Sequence, residues 1–82
     1  MEGKTSAEIN AENCKNEANE FFNKGKLLQA LQKYTEAIEL NPKVAIYWSN
    51  RAFTHLKLEE HGSVIEDATK AIEIDPTYAK AR

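Results

Sequence analysis

The run Lys-Tyr-Thr-Glu-Ala-Ile-Glu-Leu-Asn-Pro, Lys33 to Pro42, has a counterpart 34 positions later in Asp-Ala-Thr-Lys-Ala-Ile-Glu-Ile-Asp-Pro, Asp67 to Pro76. Thr35/Thr69, Ala37/Ala71, Ile38/Ile72, Glu39/Glu73 and Pro42/Pro76 are identical, and Leu40/Ile74 and Asn41/Asp75 are conservative. At the same shift Ala18 falls on Ala52. Both runs stop at Asn-Pro or Asp-Pro, where the residue before proline is pushed out of helical geometry and proline brings no N–H. A helix-turn-helix unit that recurs at this period cannot bury its apolar side alone, so successive units must stack. The expected fold is all-α.

Upstream of that run, Thr5 and Glu8 fit a capping box, in which each end satisfies an orphan backbone donor of the other. No proline or glycine interrupts Ser6 to Lys24, where Ile9, Cys14, Ala18, Phe21 and Phe22 supply apolar surface at helical spacing. Gly25 suits the left-handed residue that ends this first helix. A second helix is predicted from about Lys26 to Leu40, with a stripe of Leu27, Ala30, Leu31, Tyr34, Ala37 and Ile38.

A third helix is predicted from near Val44, the segment Glu59 to Gly62 forms the next turn, and a fourth helix runs from about Ser63 to Ile74. A fifth opens after Thr77. On the third helix, Trp48, Ala52 and His55 share a face that packs on a partner helix, and Ile46, Asn50, Phe53 and Lys57 share one that turns toward a groove. Trp48 reads as core and Tyr47 as rim.

With 82 residues, 41% hydrophobic and 29% charged, the chain suits one small soluble domain. A formal charge of −2 argues against a general nucleic-acid or membrane binder. No apolar run approaches a bilayer span and no signal-peptide core is present, so the cytoplasm, and also the nucleus, is the expected location. The single cysteine, Cys14, forms no internal disulfide and reads as an inert packed thiol. His55 and His61 lack a second metal ligand at useful spacing. Neither a phosphate-cradling glycine loop nor paired catalytic carboxylates nor a nucleophilic triad is evident, so no catalytic residue, metal or cofactor is expected.

The period, with Ala18, Phe21, Ala30, Tyr34, Ala37 and Pro42 in one unit and Trp48, Ala52, Ala71 and Pro76 in the next, resembles the tetratricopeptide repeat family over residues 11 to 82. The resemblance implies a right-handed superhelical stack of antiparallel helix pairs. Its expected divisions are a partly helical N-terminal extension (1–10), repeat 1 (11–44), repeat 2 (45–78) and the start of a third repeat (79–82). Departures fall at Val64, where a small residue is usual, and at His55 and Ala68, where aromatics are usual. They are expected to weaken packing.

Stacked pairs make a concave surface whose polar groups must choose the ligand. Lys15 and Asn19 lie four residues apart on one face of the first helix, Asn50 lies on the equivalent face of the third, and Lys80 opens the fifth. If the first helix of each repeat lines the groove, all four converge. Two ammonium and two amide groups, with no acidic neighbour read among them, suit a carboxylate held by charge-assisted hydrogen bonds. Asn50 is the sharpest candidate, because asparagine is unfavourable in a helix interior.

This spacing resembles the carboxylate-clamp subclass of the family, which implies a ligand ending in Met-Glu-Glu-Val-Asp from heat-shock protein 90 or Glu-Glu-Val-Asp from heat-shock protein 70. By the same resemblance Phe22 and Lys57 flank the peptide, and a fifth clamp member, an arginine, is expected at position 84. Arg82 is out of register for that role. The segment from Ala45 to Glu59 is most similar to the helical domain of a serine/threonine phosphatase family, which implies an enzyme as parent though not enzymatic activity in this domain. Two alternatives stand beside it. One is the corresponding domain of another co-chaperone. The other is a self-associating scaffold, with the open end of a two-repeat stack covered by a second copy.

Overall fold

The computed structural model describes residues 5–79. Four helices, α1 (Ser6–Asn23), α2 (Leu27–Leu40), α3 (Ala45–Lys57) and α4 (His61–Ile74), are followed by a 3-10 turn at Pro76–Ala79. Among the described residues there is no strand.

Helix α1 starts as the sequence predicts. The Glu8 amide donates to Thr5 Oγ1 (3.1 Å) and the Thr5 amide donates to Glu8 Oε1 (2.8 Å), closing the capping box. It ends at Gly25, whose φ is +79°. The Lys26 amide donates to the Phe21 carbonyl (2.8 Å) and the Gly25 amide to the Phe22 carbonyl (3.0 Å), so two carbonyls at the helix end are satisfied by the reversal itself.

The second reversal corrects the sequence reading. Gly62 is not in the turn; α4 already begins at His61 and contains it. Glu59 takes the left-handed position instead, at φ 62°. The bonds match those at Gly25: the Glu60 amide to the His55 carbonyl and the Glu59 amide to the Leu56 carbonyl, each 2.9 Å. Glu59 stands 34 residues after Gly25, so the fold keeps the repeat register and accepts the Cβ penalty. At the other end, Asp75 Oδ1 accepts from the Thr77 amide (3.1 Å) and hydroxyl (2.6 Å), which turns the chain into the 3-10 segment. The predicted fifth helix extends beyond the described residues.

Short reversals make α1/α2 and α3/α4 antiparallel pairs, and α2 abuts α3 to join them. Alanines mark the closest approaches: Ala11, Ala18, Ala30 and Ala37 have no accessible surface, and Ala52 and Ala71 are buried in the second pair. Small side chains let helix axes come near, and any larger residue there would push them apart. Among the described residues, buried side chains gather in two clusters. Ala18, Ala30 and Tyr34 are flanked by Phe21 and Phe22; Ala11, Ala37, Ile38 and Tyr47 are flanked by Cys14, Val44 and Trp48.

The roles expected of Tyr47 and Trp48 are exchanged. Tyr47 is 1% exposed, inside the seam between the two helix pairs, because its ring meets Ala11, Ala37 and Ile38. Trp48 lies at the edge, its indole N–H donating to the Pro42 carbonyl (2.9 Å) and its face covered by Arg51 at 5.1 Å and Lys70 at 5.8 Å. An indole needs a partner for its N–H and tolerates cations on its face, which suits the rim. On the other faces of α3 the expectation holds: Ala52 is buried and His55 packs toward α4, whereas Ile46, Phe53 and Lys57 are exposed.

Candidate functional site

On α1, Lys15 and Asn19 are both half-buried one turn apart. The expectation that no acid stands near the candidate residues is overturned at Lys15. Its Nζ lies 3.2 Å from Glu12 Oε1 on the preceding turn, and Glu12 Oε2 accepts a 2.7 Å hydrogen bond from the Tyr47 hydroxyl of α3. The Lys15 ammonium is therefore tied to the α1–α3 seam. The i, i+3 spacing of Glu12 and Lys15 carried that signal in the sequence.

Asn19 has a partner of its own. The Tyr34 hydroxyl, on α2, donates to Asn19 Oδ1. With the oxygen so engaged, the two amide N–H groups are what Asn19 has left to offer a ligand. Both phenols stay protonated: burial pushes Tyr34 above its ordinary value of 10.0, and burial followed by the Glu12 carboxylate pushes Tyr47 far higher. Hydroxyls that do not ionise remain donors through the physiological range.

Asn50 sits one turn after Tyr47 on α3, half-buried, and its side chain makes no hydrogen bond among the described residues. Its backbone carbonyl accepts from the Thr54 hydroxyl at 3.0 Å. Lys57 is exposed in the last turn of the same helix, without an ion pair among the described residues. Phe22 is half-buried against Ala18, Ala30 and Tyr34. Through Glu12 and Tyr47 the structure links Lys15 to the turn of α3 that precedes Asn50; Lys80 lies outside the described residues.

A second polar constellation escaped the sequence reading. Arg51 grips Asp67 through Nε to Oδ2 (2.8 Å) and Nη2 to Oδ1 (2.9 Å), and donates from Nη1 to Thr35 Oγ1 (3.2 Å) on α2. His55 completes it, with Nε2 3.5 Å from Asp67 Oδ2 and Nδ1 2.7 Å from Glu60 Oε1. Each member contacts at least one other, which makes the group a brace between α2, α3 and α4. The 34-residue shift, which lays Arg51 over Glu17 and Asp67 over Lys33, was the available clue.

Cys14 is half-buried, and burial together with the nearby Glu36 carboxylate raises its thiol pKa, the opposite of what a nucleophile needs. Among the described residues no group of acidic, histidine and cysteine side chains could hold a metal ion, and no helix is long and apolar enough to cross a membrane.

Comparison with known proteins agrees with this architecture. The TPR repeat family profile matches residues 18–59. Human serine/threonine-protein phosphatase 5 is 44% identical over 70 residues, 85% of this chain but 14% of that protein, so the chain spans a small part of such relatives. Among solved structures, the second TPR of Spaghetti (RPAP3) bound to the HSP90 peptide SRMEEVD superposes with a TM-score of 0.84 at 35% identity, over 88% of this chain and 67% of that one. The TPR2B domain of yeast Sti1 in its pHsp70 complex gives 0.85 at 38% identity, over 89% and 58%. Helix pairs at a 34-residue period, alanines at their crossings and these matches together establish that the chain belongs to the tetratricopeptide repeat family.

Proposed function

We propose that the groove face of α1 and α3 binds the acidic C-terminal peptide of a heat-shock chaperone, of the Glu-Glu-Val-Asp type, with Lys15, Asn19, Asn50 and Lys80 holding the terminal carboxylates and Phe22 and Lys57 flanking the chain. The observation that carries this reading is Asn50, a half-buried asparagine inside a helix whose side-chain amide reaches solvent and bonds to nothing among the described residues. Asparagine is unfavourable in a helix interior, so the residue costs helix stability that a ligand's hydrogen bonds would offset. Asn19 adds two N–H donors, Lys15 a tethered cation, and the similar domains of Spaghetti and Sti1 were solved with chaperone-derived partners. The likeness to phosphatase 5 supports placing this module beside a phosphatase domain.

The test is calorimetric titration of a Glu-Glu-Val-Asp peptide as free acid and as C-terminal amide. The free acid should bind more tightly, and Asn50→Ala should weaken it by about 1 to 2 kcal/mol. Equal affinity for the two peptides would sink the proposal. Raising salt should loosen the free-acid complex, since its grip is largely charge.

Self-association is the rival reading. Ile65 (67% exposed) and Ile72 (39%) on α4 stand where Leu31 and Ile38 stand on α2, and Ile38 is covered in the seam with α3. A second copy would cover the α4 pair. Light scattering that shows mass rising with concentration would favour it.

A further inference from the structure

We propose that Tyr34 and Tyr47 are positioning residues for the groove: Tyr34 fixes which end of the Asn19 amide faces the ligand, and Tyr47, through Glu12, fixes the Lys15 ammonium. The inference rests on the peptide-binding reading above and adds to it a rear layer that no ligand touches.

Each phenol is carried by a neighbouring helix, Tyr34 by α2 and Tyr47 by α3, and both rings are buried. Their hydroxyls nevertheless end on polar atoms of α1: Asn19 Oδ1 in one case, Glu12 Oε2 in the other. A buried hydroxyl needs some acceptor, so the informative feature is the acceptor chosen. Asn19 has one acceptor and two donors on a side chain that can flip. An amide turned oxygen-outward would repel a carboxylate. The Tyr34 hydroxyl, a donor, holds that oxygen inward and leaves the N–H groups outward.

The Tyr47 connection is less direct. Glu12 takes the hydroxyl on one oxygen and Lys15 on the other, 3.2 Å away, so a group fixed in the core sets where the cation rests. A lysine stem has many rotamers, and restricting them before binding lowers the ordering cost.

An internal control comes from the repeat. The counterpart of Tyr34 is Ala68 and that of Asn19 is Phe53, so the second helix pair lacks both members of the bond. Tyr47 has Asn13 as its counterpart in α1. Helix pairs of this kind therefore close without either phenol, and the phenols occur where the amide and ammonium they address occur.

Tyr34→Phe and Tyr47→Phe keep the rings that fill the core and remove only the hydroxyls. Each should weaken a free-acid Glu-Glu-Val-Asp peptide by roughly tenfold while changing the amidated peptide by less than about twofold. Equal weakening of both peptides, or none, in a wild-type chain that does discriminate them would overturn the positioning role. A wild-type chain that fails to discriminate defeats the peptide-binding reading instead. The wild-type protein supplies a second measurement independent of any variant's folding. A Tyr34 hydroxyl proton slow enough in exchange to be seen by NMR, with a through-space signal to Asn19, supports the bond, and a hydroxyl exchanging at the solvent rate overturns it.

Discussion

The two helix pairs place an ion pair at the same station with the charges exchanged. In the first, Glu17 on α1 meets Lys33 on α2 at 3.1 Å; 34 residues on, Arg51 on α3 meets Asp67 on α4. Glu36 and Lys70, also 34 apart, are exchanged in the same sense. Burial separates the two versions. Lys33 and Glu17 are 32% and 55% exposed, Arg51 and Asp67 only 20% and 5%. The first pair is a solvated contact between flexible chains, whereas the second is a planar fork on a carboxylate that also reaches Thr35 of the preceding pair. A repeat thus conserves a geometric slot while the surroundings decide how much energy the slot holds. Phe21 and Tyr34 fill the middle of the first pair; His55 and Ala68 replace them in the second, and the Arg51–Asp67–His55 brace occupies that region.

Removing one member of each pair tests this contrast most severely. Asp67→Ala strands the Arg51 guanidinium and should cost about 3 kcal/mol in urea unfolding. Lys33→Ala should leave the unfolding midpoint almost where it was, and a comparable loss from both would erase the distinction.

Alkaline pH gives the next largest effect. Because the folded chain holds the Tyr47 phenol protonated well above its ordinary value of 10.0, the unfolded chain ionises first. The contribution of this phenol to stability is therefore fully present below pH 10 and is lost above it, by about 1.4 kcal/mol for each pH unit until the folded chain ionises too. Tyr47→Phe should flatten that limb, and Tyr34→Phe should do so too in whatever measure burial holds its phenol. A limb unchanged by both would place the alkaline transition elsewhere.

The two reversals sharpen the comparison at a smaller scale. Glu59→Gly relieves a left-handed glutamate and should stabilise by about 1 kcal/mol, and Gly25→Ala should destabilise by a similar amount. No atom lies near a Cβ built at Gly25, so any cost there is conformational and not steric. The smallest change is expected from exchanging the charges of Glu17 and Lys33, which should shift thermal unfolding only slightly: the exposed pair re-forms, and residue 33 loses no more than its solvated 3.3 Å contact with Glu36. The same exchange at Arg51 and Asp67 should lower the unfolding temperature clearly, because an aspartate at 51 cannot reach Thr35 and an arginine at 67 would face His55 in a buried slot.

How much of this was legible follows from the range of each interaction. Thr5 and Glu8 announced their cap, and Gly25 its reversal, because those signals act within a few residues. Glu59 did not announce itself: glutamate has no left-handed preference, and Gly62 beside it was the stronger local signal. Spacing alone puts Lys15 and Asn19 on α1 and Asn50 on α3, and the Glu12 partner of Lys15 lies one turn away at an i, i+3 spacing that is legible in the sequence. The exchange of Tyr47 and Trp48 had no local sign, since adjacent helical positions differ by about 100° and the rotation of α3 about its own axis, set by its packing on α1 and α2, decides which one enters the seam.

The amino-acid order alone determined the period, the helices and the small residues at their crossings, since each depends on backbone propensity and on apolar spacing along one segment. Only the packed structure decided the partners of the polar groups: Tyr34 with Asn19, Tyr47 with Glu12 and through it Lys15, and Arg51 with Asp67 and Thr35. Those bonds join residues 15 to 35 positions apart on different helices, apart from the local Glu12–Lys15 contact that Tyr47 anchors. Hydrogen bonds act over about 3 Å, so their pairing is fixed by which helix faces meet, and that is a property of the stack.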